Sequence, residues 1–112
     1  MIDTARVYDP IDPAQPPRVL VDRLWPRGIR KEDPRVGTWM PHVAPSNELR
    51  KWYHANPDRF DDFAARYREE LTDNDAVAPL RDLEPVTLVT ATREITHSHV
   101  PVLAKFLEQP AQ

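Results

Sequence analysis

The chain has 112 residues, 15 basic and 18 acidic side chains, 13 prolines, two glycines and no cysteine. That length holds one domain with a real core rather than two, and a hydrophobic content of 40% excludes a wholly disordered chain. The missing cysteine removes disulfides, thiolate nucleophiles and cysteine-based metal sites together. A formal charge of -3 does not favour nucleic acid as a partner.

The charge is unevenly spread. From Arg18 to Arg35 there are six basic and three acidic residues, whereas Asn56 to Glu84 holds nine acidic and four basic ones. One region is therefore able to attract a small anion while the whole molecule repels duplex DNA; equally, the two regions are able to pair within the fold or across a dimer. No stretch is apolar enough for a membrane span and no apolar leader follows Met1, so a cytoplasmic location is expected.

In chain order, Ala5 to Tyr8 is a short strand candidate, followed by a proline-rich connection over residues 9–17. Arg18 to Leu24 is a second strand, and its consecutive apolar run suits a central strand covered on both faces. Only about eight residues separate the two, too few for an ordinary crossover helix. The first strand is then either antiparallel to the second or reached by an unusual loop. Gly28 to Pro45 has no clean period, and Trp39 and Met40 anchor a long loop or one short helix there.

Ser46 reads as the N-cap of a helix reaching about His54, with Leu49, Trp52 and Tyr53 as its buried stripe. Asn56-Pro57 gives a second start signal, after which Phe60, Phe63, Ala64, Tyr67 and Leu71 recur at helical spacing. Asp62 to Arg66 and Arg66 to Glu70 are i,i+4 pairs on its wet side. Ala76 to Leu83 is a further short helix, and Val86 to Thr92 a β-branched strand. The last helix starts between Thr96 and Ser98, ends near Gln109, and turns Val100, Leu103, Ala104 and Leu107 inward. The fold class is thus α/β, one domain over residues 1–112, in three layers or an open two-layer form. A short, at least partly parallel sheet and four to five helices are expected.

If the strands ending at Leu24 and Thr92 are parallel, their carboxyl ends share one edge of the sheet. Asp22, Arg23 and Arg27 then meet Arg93, His97 and His99. Arginine forks suit an oxyanion, and a histidine exchanges protons near neutral pH. Asp22, His97 and His99 are the candidate catalytic groups, and Arg23, Arg27 and Arg93 the candidate ligand-binding groups. The structural alternatives are that Asp22 and Arg23 form a salt bridge fixing the loop, that Trp25 is a core plug, and that His97 caps a helix. A zinc site at His97 and His99 needs a further ligand, and neither metal nor cofactor is expected. Neither serine lies in a G-x-S-x-G elbow, and no glycine-rich phosphate loop exists.

Three ordered segments, VLVDRLWPRGIRKED, APSNELRKWYHANPDRFDDFAARYREEL and LVTATREITHSHVPVLAKFL, resemble the bacterial DUF488 family in its YeaO-like branch. The likeness runs from Arg6 to Leu107. It implies a compact, loosely Rossmann-like α/β domain and no stated activity. The family's strand-end Asp-Arg falls on Asp22 and Arg23, and its WPRG on Trp25 to Gly28. Where the family usually has Lys-Asp after the late strand, this chain has Arg93 and Glu94, which removes a lysine-specific covalent role there. Where the broader family often has Cys-His-Arg, this chain has His97-Ser98-His99. The expected function is binding of a small anionic, phosphorylated or nucleotide-like ligand at the strand-end cluster, with or without acid-base catalysis. The alternative is a non-enzymatic interaction or homodimer module.

Overall fold

The computed structural model describes residues 2–109. Among these residues four strands form one sheet in the order β1-β4-β2-β3: β1 is Ile2–Arg6, β2 Arg18–Leu20, β3 Thr38–Trp39 and β4 Val86–Thr90. Every pairing is parallel, with Val19 opposite Leu88 and Leu20 opposite both Val89 and Trp39. β1 is therefore parallel to the sheet and separated from β2 by β4, so the loop route holds and the antiparallel one does not. Residues 7–17 make this jump without a helix. Thr87 pins the loop's end, its N–H donating to the Pro17 carbonyl (2.8 Å) and its hydroxyl to that of Pro16 (2.7 Å). The buried Arg18 guanidinium adds bonds to the carbonyls of Pro10 and Arg35.

Among the described residues four helices follow: α1 Asn47–Ala55, α2 Phe60–Thr72, α3 Val77–Asp82 and α4 His99–Glu108. All four pack on one side of the sheet, against Val19, Val21, Val86 and Leu88. Because side chains alternate along a strand, Leu20 and Val89 point the other way, and Ile29 and Val36 of the following loop cover them. The open two-layer form is the one adopted: helices on one face and an irregular loop on the other. Within that loop, Arg35 makes a forked pair with Asp33 (2.7 Å) and holds its carboxyl down at about 2.

Several local expectations shift. The segment from Gly28 to Pro45 contains β3 and a 3-10 turn at Pro41–Val43, not one loop or helix. Two residues are too short to show a strand period, and β3 exists because the Met40 N–H and its neighbours find β2 (Met40 N to Leu20 O, 2.9 Å). Ser46 caps α1 as expected, its hydroxyl accepting from the Leu49 N–H at 3.1 Å. Asn56 ends α1 instead of starting α2: its backbone N–H goes to Tyr53 and its side-chain amide to Trp52. A turn to Arg59 intervenes before α2.

The charged face of α2 is also used differently. Asp62 pairs with Arg59, Glu70 accepts from the backbone and hydroxyl of Ser46, and Arg66 lies 4.1 Å over the Trp52 ring. Arg59 at the N-cap of α2, and Ser46 and Trp52 of the neighbouring α1, displace i,i+4 pairs whose contribution is only a few tenths of a kcal/mol.

Gly37, with φ +68°, marks the turn into β3, and a Cβ there would overlap the Arg18 carbonyl oxygen. Gly28, with φ +79°, faces open space. We expect Gly37→Ala to cost more than about 3 kcal/mol because steric overlap adds to left-handed strain, and Gly28→Ala about 1–2 kcal/mol from strain alone. Urea unfolding of the two variants measures the difference; equal losses would show that the backbone at residue 37 gives way freely.

Candidate functional site

A parallel sheet brings all its carboxyl ends to one edge, where ligands of α/β folds collect. Just past β2, the backbone leaves the ladder after the Val21 N–H bonds to Val89 O (3.1 Å). Asp22 then folds back across the sheet edge. Its carboxylate accepts from the Thr90 hydroxyl (2.7 Å) and the Ala91 N–H (2.8 Å), which ends β4 two residues earlier than its sequence suggests. The β2 ladder stops earlier than Leu24 for the same reason.

His99, the first residue of α4, completes the cluster. Its Nε2 lies 2.9 Å from the Val21 carbonyl oxygen and 3.4 Å from Asp22 Oδ1. A carbonyl only accepts, so Nε2 carries the proton. Burial lowers the His99 pKa from its ordinary value, against the opposing pull of Asp22 and the Val21 bond. The N-cap Ser98 sets where this imidazole enters, its hydroxyl accepting from the Val100 N–H.

Asp22 and His99 sit at the floor of a cleft of about 440 Å³ that Arg23, Arg27 and His97 also line. Arg23 faces inward but is committed: Nε donates to the Pro45 carbonyl and Nη2 to that of Ala44, both at 3.1 Å. It holds the entry to α1 and makes no salt bridge with Asp22. Arg27 is exposed at the tip of the β2 loop, where its carbonyl accepts from the Tyr8 hydroxyl (2.8 Å). His97 is largely exposed, 2.7 Å from Glu94 and edge-on to Phe60. Arg93 is exposed and does not line the cleft. The sheet therefore gathers five of the six candidates, while the sixth points elsewhere.

Residues from α1 complete the cleft: Arg50 and Tyr53, to which the sequence assigns no chemistry, and His54, which the sequence offers only as a further ligand for a zinc site. Their i, i+3, i+4 spacing places them on one helical face, which was the available signal. Tyr53 stacks on Phe63 at 4.2 Å and donates its hydroxyl to the His97 carbonyl (2.9 Å). Burial, then the nearby Glu94 charge, raises its pKa, so the phenol stays protonated. Trp25, half-buried, donates its indole N–H to Ile29 O (2.7 Å) and meets Trp39 edge-on at 5.2 Å. It is both a plug on the loop face and a wall of the cleft.

A family model described as the inactive DUF488-N3 subclade matches residues 1–112. The chain belongs to this DUF488 subclade. Within reach of it, the uncharacterized protein Rv3073c of Mycobacterium tuberculosis is 59% identical over 109 residues, covering 95% of this chain and 92% of that one. The uncharacterized protein YeaO of Escherichia coli is 37% identical over 110 residues, covering 95% and 96%. The DUF488 resemblance read from the three sequence segments is thereby borne out. No solved structure matches the chain.

Two outcomes follow from the Asp22 cluster. Asp22→Ala strands the Thr90 hydroxyl and the Ala91 N–H while His99 keeps its bond to the Val21 carbonyl, and should lower stability by about 2–3 kcal/mol; a loss below about 0.5 kcal/mol in urea unfolding would show that the bonds carry no net stability. His99 titrates at a lower pH folded than unfolded, so below pH 6.5 the unfolded chain binds the extra proton. Its effect on stability is absent above that pH and grows as pH falls, with a slope of at most about 1.4 kcal/mol per unit. Replacing it in His99→Gln should flatten the stability profile between about pH 6.5 and 5. Identical slopes in the two proteins would reject the buried neutral imidazole.

Proposed function

We propose that the strand-end cleft binds a small anionic ligand and holds it without turning it over. One observation carries this reading: three arginines line the cleft against a single lining carboxylate, Asp22, in a chain whose formal charge is -3. That carboxylate is already engaged by Thr90 and Ala91. The local excess of cationic groups in a concave site favours a phosphorylated or carboxylated molecule, and the volume falls within the range of small-molecule sites.

Binding is favoured over acid-base catalysis because the two buried groups suited to proton transfer are spent on the fold. Asp22 accepts two bonds from β4, and the His99 Nε2 proton goes to the Val21 carbonyl. A general acid or base must reach the reacting group within hydrogen-bond distance, and His97, on the rim with its Nδ1 2.7 Å from Glu94, has only Nε2 left to do so. The description of the family subclade as inactive agrees with this preference.

A second reading, an interaction or homodimer module, draws on Leu24 (60% exposed) and Trp39 (41% exposed) beside the cleft. Such apolar surface suits a partner. Sedimentation that gives a monomer for wild type at high concentration would remove the homodimer.

The anion reading is tested by a thermal-shift screen of inorganic phosphate, sugar phosphates, nucleotides and small carboxylates against wild type and Arg27→Ala. Arg27 is exposed, so its removal leaves the core intact. A ligand at a hundredfold excess over its Kd should raise the wild-type midpoint on the order of 10 °C, and less in the variant. A flat response to every anion would sink the proposal.

A further inference from the structure

We infer that the ligand is a planar aromatic ring bearing an oxyanion, with Arg50 as the anion's anchor and Trp25 and Tyr53 as the surfaces for the ring. This rests on the anion-binding reading of the same cleft and specifies the chemistry it accepts.

The arginines of the cleft differ in what they have left to offer. Arg23 has spent Nε and Nη2 on backbone carbonyls. Arg27 stands out in solvent at a loop tip. Arg50 is half-buried on α1, with one long bond of 3.4 Å from Nη2 to Asn47 Oδ1. Its Nε is buried and has no hydrogen-bond partner among the described residues. A buried donor without a partner is costly and uncommon, and a charged one more so. With one long bond from Nη2 and none from Nη1 among the described residues, the terminal nitrogens of Arg50 keep donors for a ligand, and a guanidinium matches two oxygens of a phosphate or carboxylate. His54, one turn further along α1, lines the same cleft and adds an imidazole beside Arg50.

The aromatic walls are fixed before any ligand arrives. The polar atom of Trp25 is satisfied by Ile29 and its ring is braced by Trp39. The Tyr53 hydroxyl is satisfied by His97 O and its ring is backed by Phe63. Neither side chain needs a polar partner from a ligand, so what each offers the cleft is π surface held in place. Immobilised rings cost little entropy on binding and favour a flat apolar body. A bare sugar phosphate would satisfy Arg50 and leave these walls wet.

Two sources carry this chemistry, a nucleotide and a free aryl phosphate or aromatic acid, and titration separates them. Tryptophan-fluorescence and calorimetric titrations of the full chain compare AMP with ribose 5-phosphate and adenosine, and phenyl phosphate with methyl phosphate and inorganic phosphate. We expect each aromatic anion to bind at least tenfold tighter than its non-aromatic counterpart and than the uncharged nucleoside. AMP exceeding phenyl phosphate assigns the nucleotide; the reverse assigns the aryl anion. Arg50→Gln should weaken the preferred aromatic anion at least tenfold, with Arg50→Lys recovering part of the loss, while Tyr53→Leu should narrow the gap between aromatic and non-aromatic ligands. Circular dichroism checks that each variant folds, and the wild-type comparisons stand whether or not they do. Equal affinity for ribose 5-phosphate and AMP, and for methyl and phenyl phosphate, overturns the aromatic preference while leaving the anion site intact. Unchanged binding in folded Arg50→Gln overturns the anchor. No binding of any anion removes the underlying reading as well.

Discussion

The Asp22 carboxylate is the joint on which the sheet edge depends. It reaches from the end of β2 to the Thr90 hydroxyl and the Ala91 N–H at the end of β4, with His99 of α4 3.4 Å away. Three elements distant in sequence are thereby set at one place. A carboxylate suits this task because each oxygen accepts more than one bond, so one side chain closes a strand that would otherwise end with a free N–H. The imidazole of His99, kept neutral by burial, donates to the neighbouring Val21 carbonyl and adds no second charge to the interior.

Around this joint the chain separates its charges. Two of the four acidic side chains of α2 are engaged, Asp62 with Arg59 and Glu70 with the α1 cap. The cleft beyond the sheet edge collects arginines and histidines instead. Some of these cations serve the backbone: Arg23 ties down Ala44 and Pro45, much as Arg18 ties the proline-rich connection to the loop before β3. With so few strand residues available, carbonyls in irregular segments need donors, and arginine supplies several from one side chain. Cationic surface in the cleft is partly a by-product of that duty, and the groups without such duty define what the cleft is able to hold.

Much of the helical layer was legible before the structure. Phe63, Ala64, Tyr67 and Leu71 recur at a helical period that survives in the packed core, and Ser46 and Ser98 mark helix starts by a local hydrogen bond. Asn56-Pro57 carried the same kind of signal and misled, because Asn56 is able to close one helix as readily as open another. Asp22, His99 and Arg23 were drawn to one edge by assuming parallel strands. The contribution of α1 to the cleft was missed, since Arg50, Tyr53 and His54 read as an ordinary amphipathic face until the helix has a neighbour.

Residue order alone determined an α/β chain of one domain, its helix periods and caps, the β-branched strand at Val86 and membership of a recognisable family. These rest on interactions within a few residues or on patterns of burial, which a linear reading captures. The tertiary structure decided that β4 lies between β1 and β2, that a two-residue β3 exists, that Arg93 leaves the cleft and that Arg50 enters it. Each of these depends on which distant backbone groups find one another. No local preference distinguishes the Ala91 N–H that meets Asp22 from one that meets water; only the closed sheet edge makes that choice.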